Sequence, residues 1–321
     1  MFRYLLTVMS ISLAIIPRIS FTSEFQIVTP ESVNMLSKQL ANIDKVIHQS
    51  IKNKIIPGAL VLVARQGKIC YMKSFGKADV DKKLVSTAIF RLASMSKPIT
   101  ATAVMQLYDQ GKILLSDPVS MYIPEFKHPK VAVLSGDSLK FISARREITI
   151  HDLLTMTSGI ATRSGTKDEL HLKIAQMFRD AKIEDEMIPY EIALEENASR
   201  IAEMPLAFQP GEEWEYSNSG VNTLAYLVER VSGMSFDRYL TEKIFKPLEM
   251  NETMFYPSEK QLSRVPAVFY ANSLKKMTKP HPVGLRDVDP SYTFGKYKTF
   301  LMRPVDYTEL LLITINLLRC Y

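Results

Sequence analysis

Apolar residues at positions 36, 40, 43, 46, 47 and 51 recur at helical spacing and predict a helix from Leu36 to Ile51. Pro57-Gly58 ends it. The strand-like run Ala59–Ala64 is followed by Arg65-Gln66-Gly67-Lys68 and then by Ile69–Met72, which reads as a β-hairpin around a glycine-containing turn. Ile99 to Tyr108 is an apolar helix with Gly111 just beyond it as a C-cap. From there to about residue 255 the pattern is mostly helical, with few strand signals. Thr149 is a good N-cap for Ile150–Leu154, a segment that stops at Ser158-Gly159. Ser219-Gly220 opens a second long helix, Val221 to Val231, and Gly233 closes it. Strands followed by helices predict an α/β (α+β) architecture in which an α/β part, about 25–115, carries a helical lobe, about 116–255. No repeat or low-complexity stretch interrupts this order.

The first twenty residues stand apart. Behind the basic start Met1-Phe2-Arg3 lies a run of 13 uncharged residues, Tyr4 to Ile16. That is the pattern of a secretory signal peptide over residues 1–20, and the run is short of the roughly 20 apolar residues of a spanning helix. No Ala-x-Ala cleavage site follows, so an uncleaved N-terminal anchor, associating with the membrane through residues 4–16, and a buried N-terminal helix are the alternatives. The expected destination is secretion or the periplasm, with membrane anchoring as the alternative. Residues 21–321 read as one two-lobed domain.

Composition narrows the chemistry. The chain has 321 residues, 46% hydrophobic and 23% charged, which describes a folded globular protein with a large core. Two cysteines, Cys70 and Cys320, make no disulfide framework, and without a CxxC or Cys/His cluster a structural zinc site is excluded at the level of pattern. Net charge is +6 without a run of five basic residues, so nucleic acid is not an expected partner. Asn197 and Asn251 fit glycosylation sequons, tripeptides that arise often by chance.

The chemical candidate is Ser94-Met95-Ser96-Lys97. On a helix, residues i and i+3 share a face, so an amine can sit beside the hydroxyl and assist its deprotonation. Ser-x-x-Lys alone is weak: it also occurs at Ser74…Lys77, Ser164…Lys167 and Ser273…Lys276. Ser74 closes a predicted strand, and Ser164 and Ser273 sit in polar loops. Only Ser94 opens an apolar helix, where the helix dipole favours a developing anion. A plain N-cap role for Ser94 stays open at this level. The second candidate is Tyr216-Ser217-Asn218, in which a phenol can relay a proton and an amide can hold a carbonyl. The same spacing occurs at Tyr270-Ala271-Asn272, and a polar turn before the helix at 221 is the competing reading.

With their flanks these segments resemble a known family. Phe90-Arg91-Leu92-Ala93-Ser94-Met95-Ser96-Lys97-Pro98-Ile99-Thr100 is similar to the nucleophile region of the serine β-lactamase-related family, in the branch of class C β-lactamases, penicillin-binding proteins, esterases and D-aminopeptidases. Pro210-Gly211 followed by Trp214-Glu215-Tyr216-Ser217-Asn218-Ser219-Gly220 resembles that branch's second box. Leu115–Val119 with Tyr122-Ile123-Pro124, Asp152–Gly159, and Phe245–Met250 with Thr253 resemble its framework, in the family's order.

The resemblance implies a β-lactamase/transpeptidase-like fold, an antiparallel sheet flanked by helices plus a mostly helical lobe. It implies acyl transfer through a covalent acyl-enzyme on a small-molecule or peptide acyl substrate, an ester, amide or β-lactam. Ser94 would attack, Lys97 and Tyr216 would share the proton, and Asn218 would hold substrate, with no metal or organic cofactor. The class A Glu-x-x-Leu-Asn segment is missing, so Tyr216 is the candidate for assisting deacylation.

The sequence departs from the family after about residue 256. The family's third box, Lys-Thr-Gly or His-x-Gly, has no counterpart: none of His48, His128, His151, His171 and His281 precedes x-Gly, and Lys298-Thr299 is followed by Phe300. Pro304-Val305-Asp306-Tyr307 with Leu310–Leu312 resembles a helix that precedes that box. The expectation is an incomplete return to the sheet over 256–321, with its last strands missing. Two functions follow: a serine hydrolase, or a catalytically impaired, truncated relative (a pseudoenzyme or binding protein).

Overall fold

The computed structural model describes residues 26–162, 167–183, 192–267, 269–271, 277–280 and 301–302. The expected leader lies outside them, as do the helix resembled at 304–312 and the candidates Ser164 and Ser273.

The chain begins with α1, Ser37–Lys52, an amphipathic helix that lays Leu40, Ile43, Ile47 and Ile51 against the first hairpin. That hairpin pairs β1, Gly58–Arg65, with β2, Lys68–Asp79, through the two-residue turn Gln66-Gly67. Both turn residues have positive φ, 54° and 70°, the twist that matches a tight antiparallel pair. β2 is longer than its apolar core suggests: Ser74 sits in mid-strand opposite Leu60. The expectation that Ser74 closes a strand is thus corrected. Its partner in the motif, Lys77, lies three residues on along a strand, on the opposite face, and bonds to the Val80 carbonyl instead. A short β3, Lys82–Lys83, completes this antiparallel sheet in the order β1-β2-β3.

β4, Phe90–Arg91, leads into α2, Ser96–Asp109. One face of α2 places Ile99, Ala103, Val104 and Leu107 at zero exposure within the largest apolar cluster. Burial of Ile99, Val104 and Leu107 contributes about 1.5–3 kcal/mol each, and of Ala103 less. The cluster joins α2 to α3, Ile150–Leu154, α4, Glu169–Asp180, α5, Leu194–Ala202, α6, Asn218–Ser232, and α7, Phe236–Leu240. Phe178 on α4 is among its fully buried members. A separate, smaller cluster of Val33, Leu40, Cys70, Tyr71 and Phe75 lies between α1 and the sheet. A last turn of helix, α8, spans Glu259–Leu262.

Two local expectations change. The stretch read as mostly helical contains a hairpin, β5, Lys130–Ser135, paired with β6, Ser138–Ser143. Phe141 and Ile142 on β6 are exposed, so apolar and polar positions do not alternate there, and β5 exchanges backbone hydrogen bonds with Leu206, far along the chain. The second long helix begins at Asn218 rather than Val221, because the buried Ser217 caps it by accepting the Gly220 N–H at 3.0 Å. Asn197 of the first sequon lies on α5 with zero exposure, which leaves a glycan no room. The Thr149 cap forms as read and closes a full capping box with Asp152.

Beyond α8, β7, Phe269–Ala271, pairs with β8, Met277–Pro280, and β9, Leu301–Met302, pairs antiparallel with β4. The expected loss of the closing strands concerns residues that for the most part lie outside those described.

Candidate active site

Ser94 lies in a tight 3₁₀ turn, Ala93–Met95, immediately ahead of α2. Ala93 has φ +47°, a left-handed conformation that costs a non-glycine residue roughly 1–2 kcal/mol. Such strain persists only where its surroundings hold it. Here the Met95 N–H bonds the Leu92 carbonyl at 2.9 Å, the Ser96 hydroxyl bonds the Ala93 carbonyl, and Leu92 is buried. The turn lifts the Ser94 hydroxyl to the surface while α2 behind it stays anchored in the core.

Lys97, in the first turn of α2, points its Nζ at Ser94 Oγ across 3.2 Å. Tyr216, 122 residues further along, brings its Oη to 2.5 Å from the same oxygen. The Lys97 ammonium also stands 4.6 Å from the centre of the Tyr216 ring, within cation–π range. Two groups from two segments therefore converge on one hydroxyl. Partial burial pushes the Tyr216 phenol up, but its hydrogen bonds with Lys97 and Ser94 and the Lys97 charge outweigh that, and its pKa falls below the ordinary phenol value.

The segment carrying Tyr216 is extended and held from behind. The Gly211 N–H bonds the Thr157 carbonyl at 2.8 Å and the Glu215 N–H bonds the Met156 carbonyl at 3.0 Å. That 156–158 loop is fixed in turn by Asp152, which accepts both Arg146 guanidinium arms (2.5 and 2.9 Å), the Thr149 N–H and hydroxyl, and the Thr157 hydroxyl. Gly159, at φ +80°, lets the loop run against residues 206–208: an added Cβ would meet the Phe208 carbonyl at 2.4 Å.

Ser94, Lys97 and Tyr216 are thus brought together, and Tyr216 is 40% exposed, open to a ligand. Asn218 is half-buried as the first residue of α6 and makes no hydrogen bond with those three among the described residues. β9 lies beside β4, so its backbone runs three residues ahead of Ser94. Met95, next to Ser94 in the chain, and Trp214, two residues before Tyr216, are exposed and apolar. Among the described residues, no group of three or more His, Cys, Asp or Glu is arranged to hold a metal ion, and no helix is long and apolar enough to cross a membrane. Sequence reasoning missed a buried contact made by the residue before Tyr216, between His171 and Glu215, whose partners stand 44 residues apart.

The family model described as Beta-lactamase matches residues 43–288, a span that holds Ser94, Lys97, Tyr216 and Asn218. The chain belongs to the beta-lactamase family. Among curated members, it is 32% identical over 249 residues to esterase EstB of Burkholderia gladioli, covering 77% of this chain and 57% of that protein. It is 31% identical over 215 residues to protein flp of Staphylococcus aureus strain N315, covering 66% of this chain and 38% of flp. The beta-lactamase-family chain thus spans little more than half of the one relative and less than half of the other. Among solved structures it is similar to EstCE1, described as a hydrolase with promiscuous acyltransferase activity, at 25% identity and a TM-score of 0.67 over 85% of this chain and 71% of that one. The simvastatin synthase LovD of Aspergillus terreus shares the fold, with 24% identity and a TM-score of 0.70 over 86% of this chain and 68% of LovD.

Proposed function

We propose that this beta-lactamase-family chain is a serine hydrolase acting through a covalent acyl-enzyme on an ester, amide or β-lactam. The observation that carries the reading is the convergence of Tyr216 Oη, at 2.5 Å, and Lys97 Nζ, at 3.2 Å, on Ser94 Oγ. A serine hydroxyl becomes a competent nucleophile when a base stands within hydrogen-bond reach. Ser94 Oγ bonds to the substrate carbonyl carbon as its proton passes to Tyr216, whose phenolate the Lys97 charge stabilises. Collapse of the tetrahedral intermediate breaks the bond to the leaving group, which takes that proton. Water then attacks the Ser94 ester, again with Tyr216 accepting a proton, and the acid leaves as Ser94 regains its hydrogen. This sequence balances with side chains and water alone.

Asn218, next to Tyr216 in the chain, is the proposed contact for the substrate's carbonyl or amide. The names of EstB and EstCE1 favour an ester over an amide as first substrate to try. The basic start and uncharged run of residues 1–16 support export, to the periplasm or outside the cell.

The test is labelling. Purified protein, treated with a fluorophosphonate probe and with a p-nitrophenyl ester, takes up the probe and turns over the ester. Ser94→Ala abolishes both while keeping its circular dichroism. Folded wild-type protein that neither labels nor turns over supports the non-catalytic relative instead.

A further inference from the structure

At Glu215, the residue before Tyr216 in the chain, lies a buried titratable cluster that the proposed reaction leaves unused. His171, on α4, has a side chain only 4% exposed, and both its ring nitrogens meet carboxylates. Nδ1 is 2.7 Å from Asp168 Oδ1, and Nε2 is 2.8 Å from Glu215 Oε2. The Asp168 contact has a local explanation: Asp168 is the N-cap of α4 and also accepts the His171 N–H at 2.9 Å. The Glu215 contact has none, since it ties α4 to a residue 44 positions away. Glu215 is the residue before Tyr216, and its carboxylate is 17% exposed, so it needs a donor to be held there.

The surrounding charges complete the picture. Lys167 reaches Glu213 at 3.1 Å and lies near enough to Asp168 and Glu215 to act on both. As imidazolium, His171 donates to both carboxylates. As a neutral ring protonated on Nε2 it still donates to Glu215, while the half-exposed Asp168 turns to water. The tether to Glu215 therefore holds both in the imidazolium and in the neutral ring protonated on Nε2.

We infer that His171 is a positioning residue: by holding Glu215 it sets Tyr216 at hydrogen-bond distance from Ser94. The geometry stands by itself, and its consequence for rate rests on the acyl-enzyme reading above. The backbone bond from Glu215 to Met156 fixes the height of the segment, and the His171 contact fixes its rotation, which decides where the next side chain points. A displacement of about 1 Å in a reacting group can cost about 10²-fold in rate.

Two substitutions separate this role from packing. His171→Gln places an amide donor near the Nε2 position and keeps the reach to Glu215. His171→Asn places one near Nδ1, keeps Asp168 and gives up Glu215. Two readouts are taken on each full-length protein: p-nitrophenyl ester turnover, and the titration of Tyr216 by ¹⁹F NMR after fluorotyrosine labelling, its signal assigned with Tyr216→Phe. His171→Gln retains kcat within about threefold, whereas His171→Asn loses about 10- to 100-fold in kcat with KM within about threefold. The Tyr216 titration moves up toward the ordinary phenol range in His171→Asn alone. Glu215→Ala, which cuts the tether from its other end, reproduces the His171→Asn effect and serves where that variant fails to fold. The inference is overturned if the Asn and Gln variants behave alike in both readouts, or if Glu215→Ala leaves the Tyr216 titration where it was. If wild-type protein hydrolyses no ester but the titrations follow the stated order, the hydrolase reading fails and the positioning role stands.

Discussion

Tyr216→Phe removes one oxygen from the centre of the site and little else. The Tyr216 hydroxyl is 2.5 Å from Ser94 Oγ, and the ring sits 4.6 Å from the Lys97 ammonium. Phenylalanine keeps the ring and so the cation–π contact that helps place Lys97. What goes is a hydrogen bond to a group that carries developing charge, worth about 1.5–3 kcal/mol, or roughly 10- to 100-fold. If the oxygen is also the proton acceptor, the loss extends to about 10²–10⁴-fold in kcat. KM changes by no more than about threefold, because an interaction made in the transition state is what has been removed. Stability barely moves: with the side chain 40% exposed, water replaces the lost partner. The pH profile sharpens the test. In the wild type the Lys97 and Ser94 contacts overcome the effect of burial and hold the phenol below its ordinary range, so the rate rises with pH through a limb below 10. That limb vanishes in Tyr216→Phe. Steady-state ester hydrolysis from pH 5 to 10, with urea melts alongside, measures both. A variant that keeps kcat within about fivefold, or retains the alkaline limb, while Ser94→Ala is inert, refutes Tyr216 as the proton acceptor.

Asp152→Asn exchanges a buried carboxylate with five hydrogen bonds for an amide that can accept only some of them, and lowers unfolding free energy by about 2–4 kcal/mol, the lower end because Arg146 is partly exposed and can turn to water. Burial raises the Asp152 pKa, but Arg146 and Thr149 more than offset it; the folded value is depressed, so this stability is present above the unfolded value and is lost as pH falls through the folded one. Urea midpoints therefore fall less steeply on acidification in the variant than in the wild type. Gly159→Ala, with φ +80° and a new Cβ 2.4 Å from the Phe208 carbonyl, lowers stability by at least about 2 kcal/mol, read as a drop in the urea midpoint at unchanged slope.

What the sequence disclosed was what neighbouring residues decide. The Gln66-Gly67 turn, the Thr149 cap and the Gly233 C-cap depend on short-range geometry, and each forms where its residues predict. The β5–β6 hairpin did not show, because Leu134, Phe141 and Ile142 face solvent and erase the alternation that marks a half-buried strand. α6 starts three residues ahead of the Val221 that the pattern predicts, since Ser217 rather than Ser219 supplies the cap. In the site, Ser94 and Lys97 were legible as a spacing, but the spacing occurs four times; a strand at Ser74 and Lys77 excludes one copy, and two include residues outside those described. Nothing in local pattern links Ser94 to Tyr216 across 122 residues; the resemblance to a family did. His171 and Glu215, equally remote from each other, carried no motif to join them.

The two halves of the site are founded on different material. Ser94 and Lys97 ride at the head of α2, whose Ile99, Ala103, Val104 and Leu107 are sealed in the main core; moving them means breaking that core. Tyr216 rides on an extended segment fastened by a few polar contacts: Gly211 to Thr157, Glu215 to Met156 and to His171. Regions with few buried apolar contacts open locally at a small fraction of the global unfolding free energy. Ser94, the proposed nucleophile, thus shares the kinetics of the whole fold, while Tyr216, the proposed proton acceptor, has kinetics of its own. On that reading, warming or mild denaturant parts the phenol from the serine before the helices melt, and the Ser94–Tyr216 contact returns as soon as one short segment re-seats.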